Sequence, residues 1–170
     1  MKTLLPFATA ALLAGCASMG AAGPSAVASL EPTNGNAVKG TVTFAQHGDK
    51  VRVNAQISGL RPDAEHGFHV HEKGDCSSGD GMSAAGHFNP AGKSHGSLAG
   101  DHHAGDMPNL KADSYGNATA TFEISGLSIG SGAADIVGKG LIVHRDPDDY
   151  QSQPAGNAGP RLACAVIRRS

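Results

Sequence analysis

Two nine-residue stretches constrain the fold of this chain more than anything else in it. In KVRVNAQIS (50–58), Val51, Val53, Ala55 and Ile57 alternate with Arg52, Asn54, Gln56 and Ser58. In NATATFEIS (117–125), Ala118, Ala120, Phe122 and Ile124 alternate with Thr119, Thr121, Glu123 and Ser125. Successive side chains of an extended strand point to opposite faces, so each stretch has one apolar and one polar face. VKGTVTF (38–44), joined to the first stretch through AQHGD, completes a hairpin, and GLIVH (140–144) and RLACAVI (161–167) read as short apolar strands. No stretch sustains a helical period of apolar residues. The expectation is an antiparallel all-β domain, a sandwich or barrel. With 24 Gly and no Trp in 170 residues, it has many turns and a core of Val, Ile, Leu and Ala.

Two segments break the strand rhythm, 72–112 and 145–160. Loops of that length in a compact domain carry function or are disordered, and the first of these holds four of the nine histidines. The strand reading extends to GFHVH (67–71), where period two puts Phe68 and Val70 on one face and His69 and His71 side by side on the other. The plain alternative is a half-exposed strand that happens to carry two histidines. Further along stand His87 in GHFNP, His95 in KSHGS, His102 and His103 in DHHAGD, and His144 in LIVHRD, with Asp106 three residues after His103. Spaced imidazoles with a carboxylate form the nitrogen-and-oxygen set that zinc accepts. A strand pair plus two further imidazoles forms an all-nitrogen set that suits copper. The residues alone therefore imply a β-domain binding one or two borderline metals, against the alternative of a solvated, metal-scavenging loop.

The chain reads as exported. In MKTLLPFATAALLAGC, Lys2 is a short positive start, and the apolar run to Leu13 is too short to span a bilayer. Leu13-Ala14-Gly15-Cys16 resembles the bacterial lipoprotein box, which makes 1–15 a signal peptide and Cys16 the lipid-bearing residue. An ordinary secretory signal cut nearby is the alternative. Residues 16–36, small and polar with scattered Gly and Pro, read as the lipidated Cys and a flexible tether, leaving 37–170 as the folded domain. Cys76 and Cys164 then remain as an even pair, suited to a disulfide in an oxidising compartment. A net charge of −2 indicates no nucleic-acid partner.

GFHVHEKGDC, GHFNP, HHAGDMPNL, LIVHRDPDD and GNAGPRLACAVI together resemble the motif set of the copper/zinc superoxide dismutases in their bacterial exported form. The match runs from about Val38 to Ile167, in the family's order and approximate spacing. The resemblance implies an eight-stranded Greek-key β-barrel with two long functional loops that hold one copper and one zinc ion. It makes His69, His71, His87 and His144 copper ligands, and His87, His95, His103 and Asp106 zinc ligands, with His87 bridging both ions. His103 rather than His102 follows from the family pattern of His, two residues, Asp. His47, His66 and His102 are left over. Asp148 matches the carboxylate that hydrogen-bonds one ligand of each metal, here His69 and His95. Cys76 and Cys164 match the family disulfide, and Arg161 the guanidinium that binds substrate beside copper.

The implied reaction is dismutation of two superoxide ions to dioxygen and hydrogen peroxide. Copper carries the electron, and His87 takes up a proton as the bridge opens. One departure stands out. YQSQPAGNAG (150–159) carries no charge, where many eukaryotic members place Glu and Lys thought to steer substrate. Without residues 1–16, the chain keeps 15 acidic residues and all basic ones but Lys2. A negative protein attracts a negative substrate only through local positive potential, and Lys73 is the expected helper to Arg161. The rivals are an exported copper/zinc-binding lipoprotein without redox turnover, for which Arg161 has no use, and an idle adhesive β-domain. The expected location is the periplasm, with membrane contact only through lipidated Cys16. Monomer and homodimer both stay open.

Overall fold

The computed structural model describes residues 23–170. The expected signal segment and Cys16 lie outside the described residues. Ten strands follow one another: β1 (Ser25–Pro32), β2 (Lys39–His47), β3 (Lys50–Ser58), β4 (Glu65–His66), β5 (Phe68–His71), β6 (Leu110–Lys111), β7 (Ala118–Ser125), β8 (Gly140–His144), β9 (Arg161–Val166) and β10 (Arg168–Arg169). Among the described residues the only helical element is a 3-10 turn at Met82–Ala84. The main sheet runs β5-β8-β9-β1-β2-β3-β7, with β10 on β1, and every pairing in it is antiparallel. The neighbours β3/β7, β9/β1 and β5/β8 are joined by long crossovers, as a Greek key requires. β4, one residue before β5 at one end of this path, pairs with β6, and β6 packs beside β7 at the other end. The sheet thus curls on itself into a barrel.

The alternating stretches behave as their pattern demands. Val53 sits across from Phe44 on β2 and Phe122 on β7, and Val51 across from Ile124. Phe44, Phe68, Leu30, Leu110, Ile124, Leu141 and Ile167 are all fully buried in one core. The β2–β3 hairpin is tighter than expected: its strands extend to His47 and Lys50, leaving a two-residue turn at Gly48-Asp49.

The tether reading of 16–36 is corrected within residues 25–32. They form β1, a strand paired with β2 on one side and with β9 and β10 on the other. Its inward residues Ala26, Ala28 and Leu30 alternate with Ser25, Val27 and Ser29, the period of two again. The signal is weak because two of the three core residues are alanines, which hydropathy hardly separates from serine. Across from the two alanines on β2 stand Phe44, opposite Ala26, and Val42, opposite Ala28, both fully buried.

The first long loop does not hang free. It returns along the edge of β5 that β8 leaves open, with backbone bonds from Val70 N to Gly105 O (2.9 Å), Phe88 N to Val70 O (2.8 Å) and Glu72 N to Gly86 O (2.9 Å). Gly105 is obligatory: a methyl group there would overlap the Val70 carbonyl. The disulfide Cys76–Cys164 ties the same loop to β9, its sulfurs packed with Ala84 and Ile142.

Candidate metal centre

β5 and β8 pair with Phe68 opposite Val143 and His69 opposite Ile142. Phe68, Val70, Leu141 and Val143 enter the barrel core. His69 and His71 share the other face, under the loops. The register of β8 against β9 shifts between Val143 and His144, a bulge that re-aims the last side chain of the strand. The returning loop sets His87 against His71 and Asp106 against His69 as isolated β-bridges. The outer face of β5 is therefore not half-exposed: His69 and His71 have 0% and 1% of their surface open to water.

Two clusters result. His69, His71, His87 and His144 offer one ligand atom each, all within 4.8 Å of one another. His87, His95, His103 and Asp106 do the same, so His87 belongs to both. All seven residues are buried. His102 stands outside, turned back with its Nδ1 on the His103 carbonyl (2.6 Å). His47 pairs with Glu123 on the surface (2.9 Å). His66 is buried, with Nδ1 donating to the His144 carbonyl (2.8 Å).

The hydrogen bonds fix the tautomers, and the tautomers decide what the clusters can hold. His69 Nε2 donates to Asp148 Oδ2 (2.8 Å), His71 Nδ1 to the Ala85 carbonyl (2.8 Å), and His144 Nδ1 to the Gly159 carbonyl (3.0 Å). A neutral imidazole has one N–H, so the other nitrogen of each ring presents a lone pair. His69 Nδ1 and His87 Nε2 are buried with no protein partner. His71 Nε2 and His144 Nε2 face each other at 3.4 Å, two acceptors with no proton between them.

In the second cluster His95 Nε2 donates to Asp148 Oδ1 (2.9 Å), leaving its Nδ1 as a lone pair 3.0 Å from Asp106 Oδ2. His103 Nδ1 is buried without a hydrogen bond, 3.5 Å from Asp106 Oδ1. His87 turns Nδ1 to Asp106 Oδ1 (2.7 Å) and Nε2 to the first cluster. Buried acceptors gathered without donors are costly, and a cation in each cluster satisfies them. The first donor set is all nitrogen and the second three nitrogens with a carboxylate, which fits copper and zinc respectively.

Protonation of His69, His71 and His144 is disfavoured. Burial pushes His69 and His71 well below the usual 6.5, neighbouring His87 and His144 adding to it, and burial lowers His144 to about 4. Burial acts to raise Asp106, but hydrogen bonding to His87 and from the His103 backbone outweighs it and holds the carboxyl at about 2.

Arg161 begins β9 beside the first cluster. Its Nη1 donates to the Gly81 carbonyl and its Nη2 to the Ala85 carbonyl, both at 2.5 Å. Ala85 O therefore serves both Arg161 and His71. It is aimed by a backbone at φ 63°, ψ −151°, a region that few residues other than glycine adopt. Lys73 is exposed, and among the described residues its ammonium makes no ion pair. The carbonyls of Gly81, Ala85 and Gly159 have no signature in sequence. Asn109 does lie within a recognisable motif; its side chain exchanges two bonds with the Asp148 backbone (3.0 and 2.9 Å).

Residues 38–167 match the family model for copper/zinc superoxide dismutase. The chain belongs to the copper/zinc superoxide dismutase family. Curated relatives named as Cu-Zn superoxide dismutases include one from Paramecium bursaria Chlorella virus 1, 43% identical over 150 residues, covering 84% of this chain and 77% of the relative. One from Aquifex aeolicus is 42% identical over 147 residues (83% and 85%), and one from Brassica juncea 45% over 150 residues (83% and 95%). In a superoxide dismutase of this type, two buried donor sets sharing one imidazole are the expected furniture.

Proposed function

We propose that His69, His71, His87 and His144 hold copper, that His87, His95, His103 and Asp106 hold zinc, and that Arg161 binds the substrate. The activity is dismutation of superoxide, two ions and two protons giving dioxygen and hydrogen peroxide. Bound copper supplies the one-electron redox chemistry and zinc supplies none. The observation that carries the ligand assignment is the convergence of buried, partnerless lone pairs on two points that share His87.

Arg161 spends two of its five N–H groups on backbone carbonyls, which fixes the guanidinium while leaving the others for a small anion. It stays charged at any working pH. His87 has no acceptor outside the two clusters, so Nε2 is free to hold a proton and pass it to the reduced product. Asp148 holds two imidazoles at once and couples the two clusters mechanically.

Single ligand variants test the assignment. His71→Ala is expected to lose copper while keeping zinc, and His103→Ala to lose zinc while keeping copper, by metal analysis after dialysis. Loss of both metals, or neither, in both variants contradicts it.

The disulfide marks an oxidising compartment. The same reading makes 1–15 a signal peptide and Cys16 a lipid anchor holding the enzyme at a periplasmic membrane face; the support is the Leu13-Ala14-Gly15-Cys16 box. Cys16→Ser should move the protein from the membrane to the soluble fraction.

A further inference from the structure

The second loop is docked onto the first by two crossed amide clamps. Asn109 of the first loop pairs with both backbone groups of Asp148 in the second. Gln153 of the second loop returns the arrangement on His95 of the first: the His95 N–H donates to Gln153 Oε1 (2.9 Å) and Gln153 Nε2 donates to the His95 carbonyl (2.9 Å). The side-chain amide takes the place of a neighbouring strand, and it does so at a residue whose ring is also held by Asp148 Oδ1 (2.9 Å).

We infer that Gln153 is a positioning residue for the zinc site, its amide fixing the backbone of His95 so that Nδ1 stays aimed at the metal. This rests on the assignment of His95 to zinc. With backbone N–H, backbone carbonyl and Nε2 all bonded, the only free polar atom of His95 is the lone pair of Nδ1, and the ring has no freedom to swing it away. The clamp also explains how a loop without charge from Tyr150 to Gly159 stays docked over two metals. Amide pairing is neutral, so it does not weaken with salt as an ion pair does. Gln153 itself is exposed, so its contribution lies in geometry rather than in burial.

The test is the rate at which the copper- and zinc-loaded protein gives up each metal to an excess of chromophoric chelator. Gln153→Ala and Gln153→Met, the second keeping length without hydrogen bonds, should release zinc about 10-fold faster, the low end for loss of an outer partner of a ligand. Copper release should stay within about twofold of the parent. Gln153→Glu keeps the acceptor for the His95 N–H and loses the donor, and should fall between. Cobalt(II) placed in the zinc site should show a shifted d–d spectrum in the Ala and Met variants. Zinc release within about twofold of the parent in both variants, or copper and zinc released in parallel, overturns the inference. His95→Ala separates the two readings. If it retains zinc like the parent, the ligand assignment has failed; if it loses zinc while the Gln153 variants do not, only the clamp has failed.

Discussion

At the scale of single residues, the centre is a problem in proton placement. Six imidazoles are buried around two points, and the outward acceptors decide which nitrogen of a ring is left bare. Burial keeps His69, His71 and His144 neutral, which gives the metal-free protein a pH dependence with a definite sign. His144 titrates near 4 when folded and near the usual 6.5 when unfolded. The unfolded chain therefore binds more protons between those values, so stability is fully present above about 6.5 and declines as pH falls toward 4. His69 and His71, lowered in the same direction, add to the loss, each at up to about 1.4 kcal/mol per pH unit. Asp106 adds a lower window, its stabilisation lost as pH falls from 3.8 through about 2. Urea unfolding of the metal-free protein at pH 7.5 and pH 5, with the disulfide intact, should show a lower midpoint at pH 5 on the order of several kcal/mol in stability. An equal midpoint would mean that the imidazoles are not held neutral. At Asp148, replacement by Asn leaves one acceptor for two ring donors, and metal affinity in chelator competition should drop about 10–100-fold.

At the scale of elements, β1 separates the sequence reading from the structure most sharply. Removal of residues 1–32 leaves β2 and β9 with unpaired edges and deletes Ala26, Ala28 and Leu30 from the core. Such a truncation should not fold, whereas a chain beginning at Gly23 should; a folded, metal-binding protein starting at Thr33 would contradict the placement of β1. The disulfide closes an 88-residue span and contributes about 4–5 kcal/mol in the loop-entropy model. Cys76→Ser with Cys164→Ser should lower the urea midpoint accordingly and loosen the loop that supplies the Gly81 and Ala85 carbonyls. At Gly156 the backbone is at φ 61°, and a methyl group would overlap the Asp148 carboxylate. Gly156→Ala should therefore weaken both metal sites together.

The longer strands were legible because alternation is strong wherever Val, Ile and Phe supply it. β1 was not, because alanine carries too little contrast. The two-residue strands β4, β6 and β10 carry no period at all. The seven cluster residues and Asp148 were legible through the motifs. The returning loop, the shared Ala85 carbonyl and the Gln153 clamp were not, since backbone groups are the same in every residue and leave no mark in sequence.

At the scale of the whole molecule, a chain of net charge −2 must draw in an anion against its own field. Arg161 places a positive charge beside His71, yet Glu72, Asp75 and Asp80 stand on the same loop as Lys73. If Lys73 offsets them, Lys73→Glu should slow turnover at low ionic strength and converge on the parent at about 0.5 M salt, where the Debye length is a few ångströms. Equal rates at low salt would remove Lys73 from the account. The most direct test of the central claim is a copper titration of the zinc-loaded protein with superoxide dismutation as the readout. Activity should rise linearly to one copper per chain and be absent in His144→Ala. Full copper and zinc occupancy without dismutation would contradict the claim and leave a metal carrier in its place.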